Sequence, residues 1–141
     1  MTSAVASEDR KIAAPPINAE TQQFWSAAKE GRFLVKRCED CGRAHWYPRA
    51  ICPFCGSGRT AWVGASGRGT IYSFSVMRRA DPPYAIAFVT LEEGPTMMTN
   101  IVDCDLDAIG IGQAVTLVFK PTEEGGAVPM FTPSRAGEDR R

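Results

Sequence analysis

The chain has 141 residues, 44% of them apolar, and its 16 basic and 16 acidic side chains cancel to zero net charge. That length suits one ordinary domain or two small ones, and the apolar share is well above that of a disordered chain. No run approaches the roughly 20 apolar residues of a membrane helix, and the balanced charge weighs against nonspecific nucleic-acid binding, which leaves a basic excess.

Residues 1–17 are small, charged and proline-terminated, and read as a flexible arm. Met1 to Lys11 carry both charges and no apolar run, so the expectation is a cytoplasmic chain without a secretory signal. A helix is predicted from Asn18 to Glu30, with Asn18 as N-cap, Ala19, Ala27 and Ala28 inside and Gly31 at its end. Its apolar stripe is Phe24, Trp25 and Ala28. A helix this short needs that stripe covered, by the rest of the chain or by a partner. Arg32 to Arg37 read as a strand that closes a segment 18–36 and delivers the chain into the next unit.

Residues 37–63 hold the strongest signal: Cys38-x2-Cys41-Gly42 and, ten residues on, Cys52-x2-Cys55-Gly56. Two cysteines three apart on a tight turn aim both sulfurs at one point. The residue after the second often needs a left-handed backbone, which glycine adopts at no steric cost. Two such knuckles facing each other fill all four positions of a tetrahedral zinc and leave none for substrate, so the metal is structural. Iron uses the same sulfurs, and sequence alone does not separate the two. A reducing compartment favours metal over a pair of disulfides. Four thiolates around a divalent ion carry about −2 charge. Lys36, Arg37, Arg43, Arg49 and Arg59 lie near the knuckles and are expected to offset it. His45, Trp46, Tyr47, Pro48 and Ile51 lie between the knuckles and are expected to cover the metal and the joint to the next unit. The unit exits through Trp62 and Val63.

From 64 to 133 the pattern changes to strands, with residues 134–141 a flexible tail. Thr70 to Met77 alternate, placing Tyr72, Phe74 and Val76 on one face. Tyr84 to Leu91 form a nearly continuous apolar strand that turns at Glu92-Glu93-Gly94-Pro95 into Thr96 to Val102. One helical turn fits within Asp103 to Ile109. Ala114 to Lys120 and Ala127 to Thr132 complete the set. Five short strands with a helical insert between the third and fourth fit an OB-type barrel, with a β-sandwich as competitor. The expected fold is therefore mainly β: an N-terminal helix, a rubredoxin-like zinc ribbon, then a five-stranded OB-fold barrel.

The order of these pieces resembles a known family. A helix with Phe24-Trp25, then Gly31-Arg32-Phe33-Leu34-Val35, the two knuckles flanking Tyr47-Pro48-Arg49, and Gly67-Arg68-Gly69-Thr70-Ile71-Tyr72-Ser73-Phe74 look like the zinc-ribbon plus OB-fold proteins associated with acyl-CoA enzymes. Ala87 to Gly94, Ile111 to Val115 and Pro129-Met130-Phe131 agree with it. The resemblance spans residues 18 to 133. It implies an accessory subunit, paired with thiolase-like enzymes, hydroxymethylglutaryl-CoA synthase, aldolases or hydratases. The expected role is to hold the partner's fold or its CoA thioester, in lipid, steroid or aromatic degradation.

Catalytic chemistry within the chain is not expected. Cys104 lies between Asp103 and Asp105, which oppose thiolate formation, and His45, the one histidine, is far from it along the chain. Glu92 and Glu93 read as solvated turn residues rather than an acid–base pair. Arg68, Arg78 and Arg79, together with some of the cations near the knuckles, are candidates for CoA-phosphate contacts, since a guanidinium donates two parallel hydrogen bonds to phosphate. A second reading is a single-stranded nucleic-acid binder stacking bases on Tyr72, Phe74 and Tyr84.

Overall fold

The computed structural model describes residues 11–134. The expected arm falls outside them up to residue 10, and the expected tail from residue 135. Residues 11–17 run beside the last hairpin, where the Ile12 carbonyl accepts from the Glu123 N–H at 3.0 Å.

Helix α1 spans Gln22–Lys29. It starts later than the sequence suggests because Asn18 and Thr21 first close a turn on each other. The Asn18 Oδ1 accepts from the Thr21 N–H at 3.1 Å, and the Thr21 Oγ1 accepts from the Asn18 N–H at 3.2 Å. Its apolar side is buried within the chain: Phe24, Trp25, Ala27 and Ala28 all join the core. The stripe is thus covered from inside and is not a docking face for a partner.

Strands β1 (Leu34–Cys38), β2 (Ala44–His45) and β3 (Thr60–Gly64) make a small antiparallel sheet in the order β2-β1-β3. β2 and β3 carry little apolar alternation and were invisible to periodicity. They form because β1 ends in the first knuckle and the chain returns alongside it. Lys36 pairs with both His45 and Trp62 in register.

The remaining strands are β4 (Arg68–Met77), β5 (Tyr84–Leu91), β6 (Thr96–Ile101), β7 (Ala114–Pro121) and β8 (Ala127–Pro133). They close into a barrel in the order β4-β5-β6-β8-β7. A single 3-10 turn, Leu106–Ala108, stands between the third and fourth barrel strands, as expected. The seam is parallel: β6 meets β8 at Ile101 and Phe131, and the Val102 N–H donates to the Phe131 carbonyl. This is the expected OB-fold, and the sandwich alternative does not hold.

One strand departs from strict alternation. The register of β4 against β5 shifts between Ile71 and Ser73. This bulge turns Tyr72 outward, 68% exposed, while Ile71 is buried and Phe74 and Val76 pack on the core. The three residues Tyr72, Phe74 and Val76 therefore do not share a face. Phe74 points into the barrel, so Tyr72, Phe74 and Tyr84 do not form a stacking platform.

Gly69 sits where β4 pairs on both sides, with Leu91 of β5 and Val115 of β7. A Cβ there would lie 2.6 Å from Val89 Cγ1 and 2.9 Å from the Thr90 carbonyl oxygen. Gly69→Ala is expected to destabilise the barrel by about 1–3 kcal/mol, because backbone on one side of the clash has nowhere to go. Urea denaturation measures it, and an unchanged midpoint would contradict the packing described.

A band of rings fastens the two halves. Phe33 lies 6.1 Å from Phe24 and 6.0 Å from Trp46 between ring centroids, and 6.4 Å from each of Phe119 and Phe131 of the barrel. Among the described residues no helix is long and apolar enough to cross a membrane.

Candidate metal centre

The two knuckles are built alike. In each, the glycine after the second cysteine has positive φ, 79° at Gly42 and 80° at Gly56. Its N–H reaches back to the carbonyl of the first cysteine at 2.9 Å, Gly42 to Cys38 and Gly56 to Cys52. That closure points both thiols of a knuckle the same way. β1 carries the first knuckle into the sheet, and the Glu39 N–H donates to the Arg59 carbonyl beyond the second.

The sulfurs of Cys38, Cys41, Cys52 and Cys55 all lie within 4.8 Å of one another. Cys38 and Cys55 are 3.5 Å apart across the knuckles, and Cys41 and Cys52 are 3.7 Å apart. A tetrahedral zinc with Zn–S bonds near 2.3 Å requires S–S edges of about 3.8 Å. The donor set therefore fits a closed tetrathiolate ion. Cys38 and Cys52 are buried, and Cys41 and Cys55 are exposed.

Backbone dipoles prepare this site for anionic sulfur. The Cys38 Sγ accepts from the N–H groups of Asp40 at 3.3 Å and Cys41 at 3.4 Å, and the Cys52 Sγ from that of Phe54 at 3.4 Å. The Cys41 N–H, and more weakly the Asp40 N–H and the sulfurs of Cys55 and Cys41, hold Cys38 down to about 6 against its burial. Cys55 goes the other way, to about 12: donation from the Ser57 N–H is outweighed by the Cys38 sulfur, burial and the other thiols. Four crowded thiols do not all ionise unaided. A divalent cation is what lets them, and this is the chemistry of a structural metal site.

Four of the five nearby cations have partners other than the sulfurs. Arg59 pairs with Asp40 at 2.8 Å and Glu39 at 3.6 Å. Arg43 stacks its guanidinium 3.6 Å over the Phe54 ring, Lys36 lies 4.7 Å from the Trp62 centroid, and Arg49 faces Glu20 at 3.8 Å. These side chains tie the knuckles to one another and to the turn before α1.

His45 is buried, 2% exposed, and is no ligand. Its Nε2 accepts from the Arg49 N–H at 3.1 Å, which places the neutral ring's proton on Nδ1. Burial, then Lys36, lowers its pKa below the usual value, so it stays neutral. Trp46 and Tyr47 cover α1, with the Tyr47 hydroxyl accepting from the Trp25 Nε1–H at 3.0 Å, whereas Ile51 is exposed.

The three arginines proposed for phosphate do not converge. Arg68 opens β4 and holds Glu92 in a fork, with Nε–Oε2 at 3.0 Å and NH2–Oε1 at 2.8 Å. Arg78 and Arg79 follow the far end of that ten-residue strand, and Arg78 pairs with Asp107. Glu92 is exposed, as its turn suggests, and Glu93 is half-buried, but both are also bound within the chain. Besides the Glu92 fork, Glu93 Oε2 accepts from the Ser66 N–H at 2.7 Å and pins the approach to β4. The register that sets Gly69 against Leu91 brings Arg68 and Glu92 together, a pairing visible only once the hairpin is aligned. Cys104 is half-buried against the core, and burial first, then Asp103 and Asp105, raises its pKa, which leaves it a poor nucleophile.

A closed four-cysteine ribbon joined to an OB barrel defines the class. Residues 25–61 match the family profile of the ChsH2 rubredoxin-like zinc ribbon domain, and residues 62–120 that of the ChsH2 C-terminal OB-fold domain. A "DUF35 domain-containing scaffold protein" of Methanothermobacter thermautotrophicus is 39% identical over 76% of this chain and 86% of its own length. The chain belongs to this family of DUF35 zinc-ribbon and OB-fold proteins. A "Probable enoyl-CoA hydratase alpha subunit" of Thermomonospora curvata is 33% identical over 89% of this chain, which spans only 41% of that longer protein. Among solved structures, the "Ltp2-ChsH2(DUF35) aldolase" superposes with a TM-score of 0.75 at 34% identity, covering 85% of this chain and 98% of that one.

Proposed function

We propose that this chain is a non-catalytic accessory subunit that binds and supports an acyl-CoA-processing enzyme of the hydratase, aldolase or thiolase-like kind. The observation that carries the reading is the match to 98% of a chain of the "Ltp2-ChsH2(DUF35) aldolase" at 34% identity. The lack of a nucleophile–base pair among the described residues agrees with it: His45 is sealed and neutral and Cys104 is pushed away from ionisation. Zinc is the ion we assign to Cys38, Cys41, Cys52 and Cys55, as a clasp rather than a catalyst.

The finer part of the reading is a CoA thioester held at the joint between subunits. A phosphate at one end of β4 would compete with Glu92 for Arg68, and one at the other end would compete with Asp107 for Arg78, next to which Arg79 is exposed. The test is capture of the native complex on the tagged full-length chain, with the bound protein identified by mass spectrometry and thioester turnover assayed with and without this chain. An acyl-CoA enzyme that loses activity or solubility without it is the expected result. A lone chain with no such companion, or one that turns over a thioester unaided, would refute the proposal.

A further inference from the structure

Residues 70–77, 84–91 and 96–101 contain no charged side chain, in a protein that is 23% charged. These are β4 beyond Gly69 and the whole of β5 and β6, three neighbouring strands, so the blank stretch is one continuous piece of sheet. Its inner side fills the core: Ala85, Ala87, Val89, Leu91, Met97 and Ile101 are all buried. Its outer side should then carry the usual charges of a solvated surface, and it does not.

Register fixes what stands there instead. Phe88 lies between Ser73 and Met98, and Ile86 between Ser75 and Asn100. Tyr72 projects from the bulge next to them. Tyr72, Phe88 and Met98 are 68%, 42% and 62% exposed, on three adjacent strands. Sheets with one wet face keep it polar. Here it carries aromatic, Met, Ser and Thr side chains, the composition of an interface core, where charge is depleted and Tyr, Phe and Met are enriched.

The face also runs into a hollow. A cavity of about 380 Å3 opens at the β6–β8 seam, with Tyr84, Ile86, Met98 and Asn100 on the near side and Trp25 and Met130 on the far side. A flat apolar patch beside a socket lined by flexible methionines is the arrangement that seats a protruding anchor side chain. At the ends of β4, Arg68 is matched by Glu92 and Arg78 by Asp107, while Arg79 is exposed next to Arg78. The face itself carries no charge, so complementarity over it calls for an uncharged counterpart.

We infer that the outer face of β4-β5-β6 is the surface that docks on the catalytic subunit, and that this subunit presents an uncharged apolar segment with one bulky side chain entering the cavity. This rests on the accessory-subunit reading above and adds the face, the chemistry and the anchor. Association through it is only weakly sensitive to salt, because residues 70–77, 84–91 and 96–101 bring no charge to the contact.

The test uses the enzyme captured and identified with the wild-type chain, purified and titrated calorimetrically against the full-length protein and three variants. Tyr72→Glu and Met98→Glu put a charge on separate strands at solvent-facing positions, so neither disturbs the core, and circular dichroism checks each fold. Ile111→Glu, 74% exposed on the loop before β7, is the control. Both face variants are expected to bind about tenfold more weakly or worse, with the control unchanged and wild-type affinity nearly the same at low and high salt. Wild-type affinity in both face variants, or a steep salt dependence, overturns the inference while leaving the accessory role intact. If the wild-type chain captures no acyl-CoA enzyme, the accessory reading itself fails. A wild-type homodimer that Tyr72→Glu and Met98→Glu dissociate would then give the face to a second copy and overturn the occupant named here.

Discussion

Cys38→Ser is expected to release the metal and unfold the ribbon. The cage gives four thiolates to one ion, and Cys38 is the sulfur most strongly prepared for it, with two backbone N–H groups donating to it. Apparent binding free energies of structural zinc in small domains are about 10–16 kcal/mol, and that binding energy is folding energy. β1 to β3 have little core of their own to replace it. Elemental analysis of the wild type should find a single zinc per chain and no iron, and the variant should fall far short of stoichiometric metal. Far-UV circular dichroism should retain the barrel signal while the melt shifts to lower temperature. A Cys38→Ser protein with full metal and an unchanged melt would mean that the four sulfurs are not a folding site.

The second large effect lies at the aromatic band. Phe33→Ala is expected to cost about 3–5 kcal/mol, the range for truncating a buried phenylalanine. Phe33 is 5% exposed and touches rings on both sides of the joint, Phe24 and Trp46 towards the helix and ribbon, Phe119 and Phe131 in the barrel. Removing it leaves a hole at the joint that neither half can fill without shifting against the other. Phe54→Ala is the matched comparison, since Phe54 is 48% exposed on the second knuckle. Its loss should cost well under about 1 kcal/mol, the ordinary range for a surface substitution. Chemical denaturation of the pair separates the two positions. Equal midpoints would show that the joint does not depend on Phe33.

What could be read from sequence was what depends on near neighbours. A knuckle is closed by its own glycine, so the spacing of Cys38, Cys41, Cys52 and Cys55 announces a cage before any tertiary contact is known. Tyr84 to Leu91 announces itself as a strand because its inward residues alone are enough to bury it. The rest needed partners distant in the chain. The bulge that expels Tyr72 answers to β5, not to β4, so alternation alone put Tyr72 with Phe74 and Val76. The fork between Arg68 and Glu92 joins residues 24 apart, and nothing local marks either as paired. Trp25 and Phe24 carry the same apolar signal whether their cover comes from this chain or another, and the sequence could not choose between them. The missing charges of residues 70–77, 84–91 and 96–101 were legible throughout, but their meaning appeared only when pairing laid those segments side by side.

The parallel seam sets an order of events during synthesis. β8 is translated after every other barrel strand, yet it is the one that joins β7 to β6 and supplies Phe131 to the joint. Until it leaves the ribosome, the sheet has two open margins and Phe33 lacks one of its neighbours. A nascent chain in that condition is sticky, since unpaired strand margins recruit other chains. Closure over so long a sequence separation is also slow. A companion enzyme or a chaperone that shields the unfinished sheet would therefore act earliest on molecules whose final strand has yet to arrive.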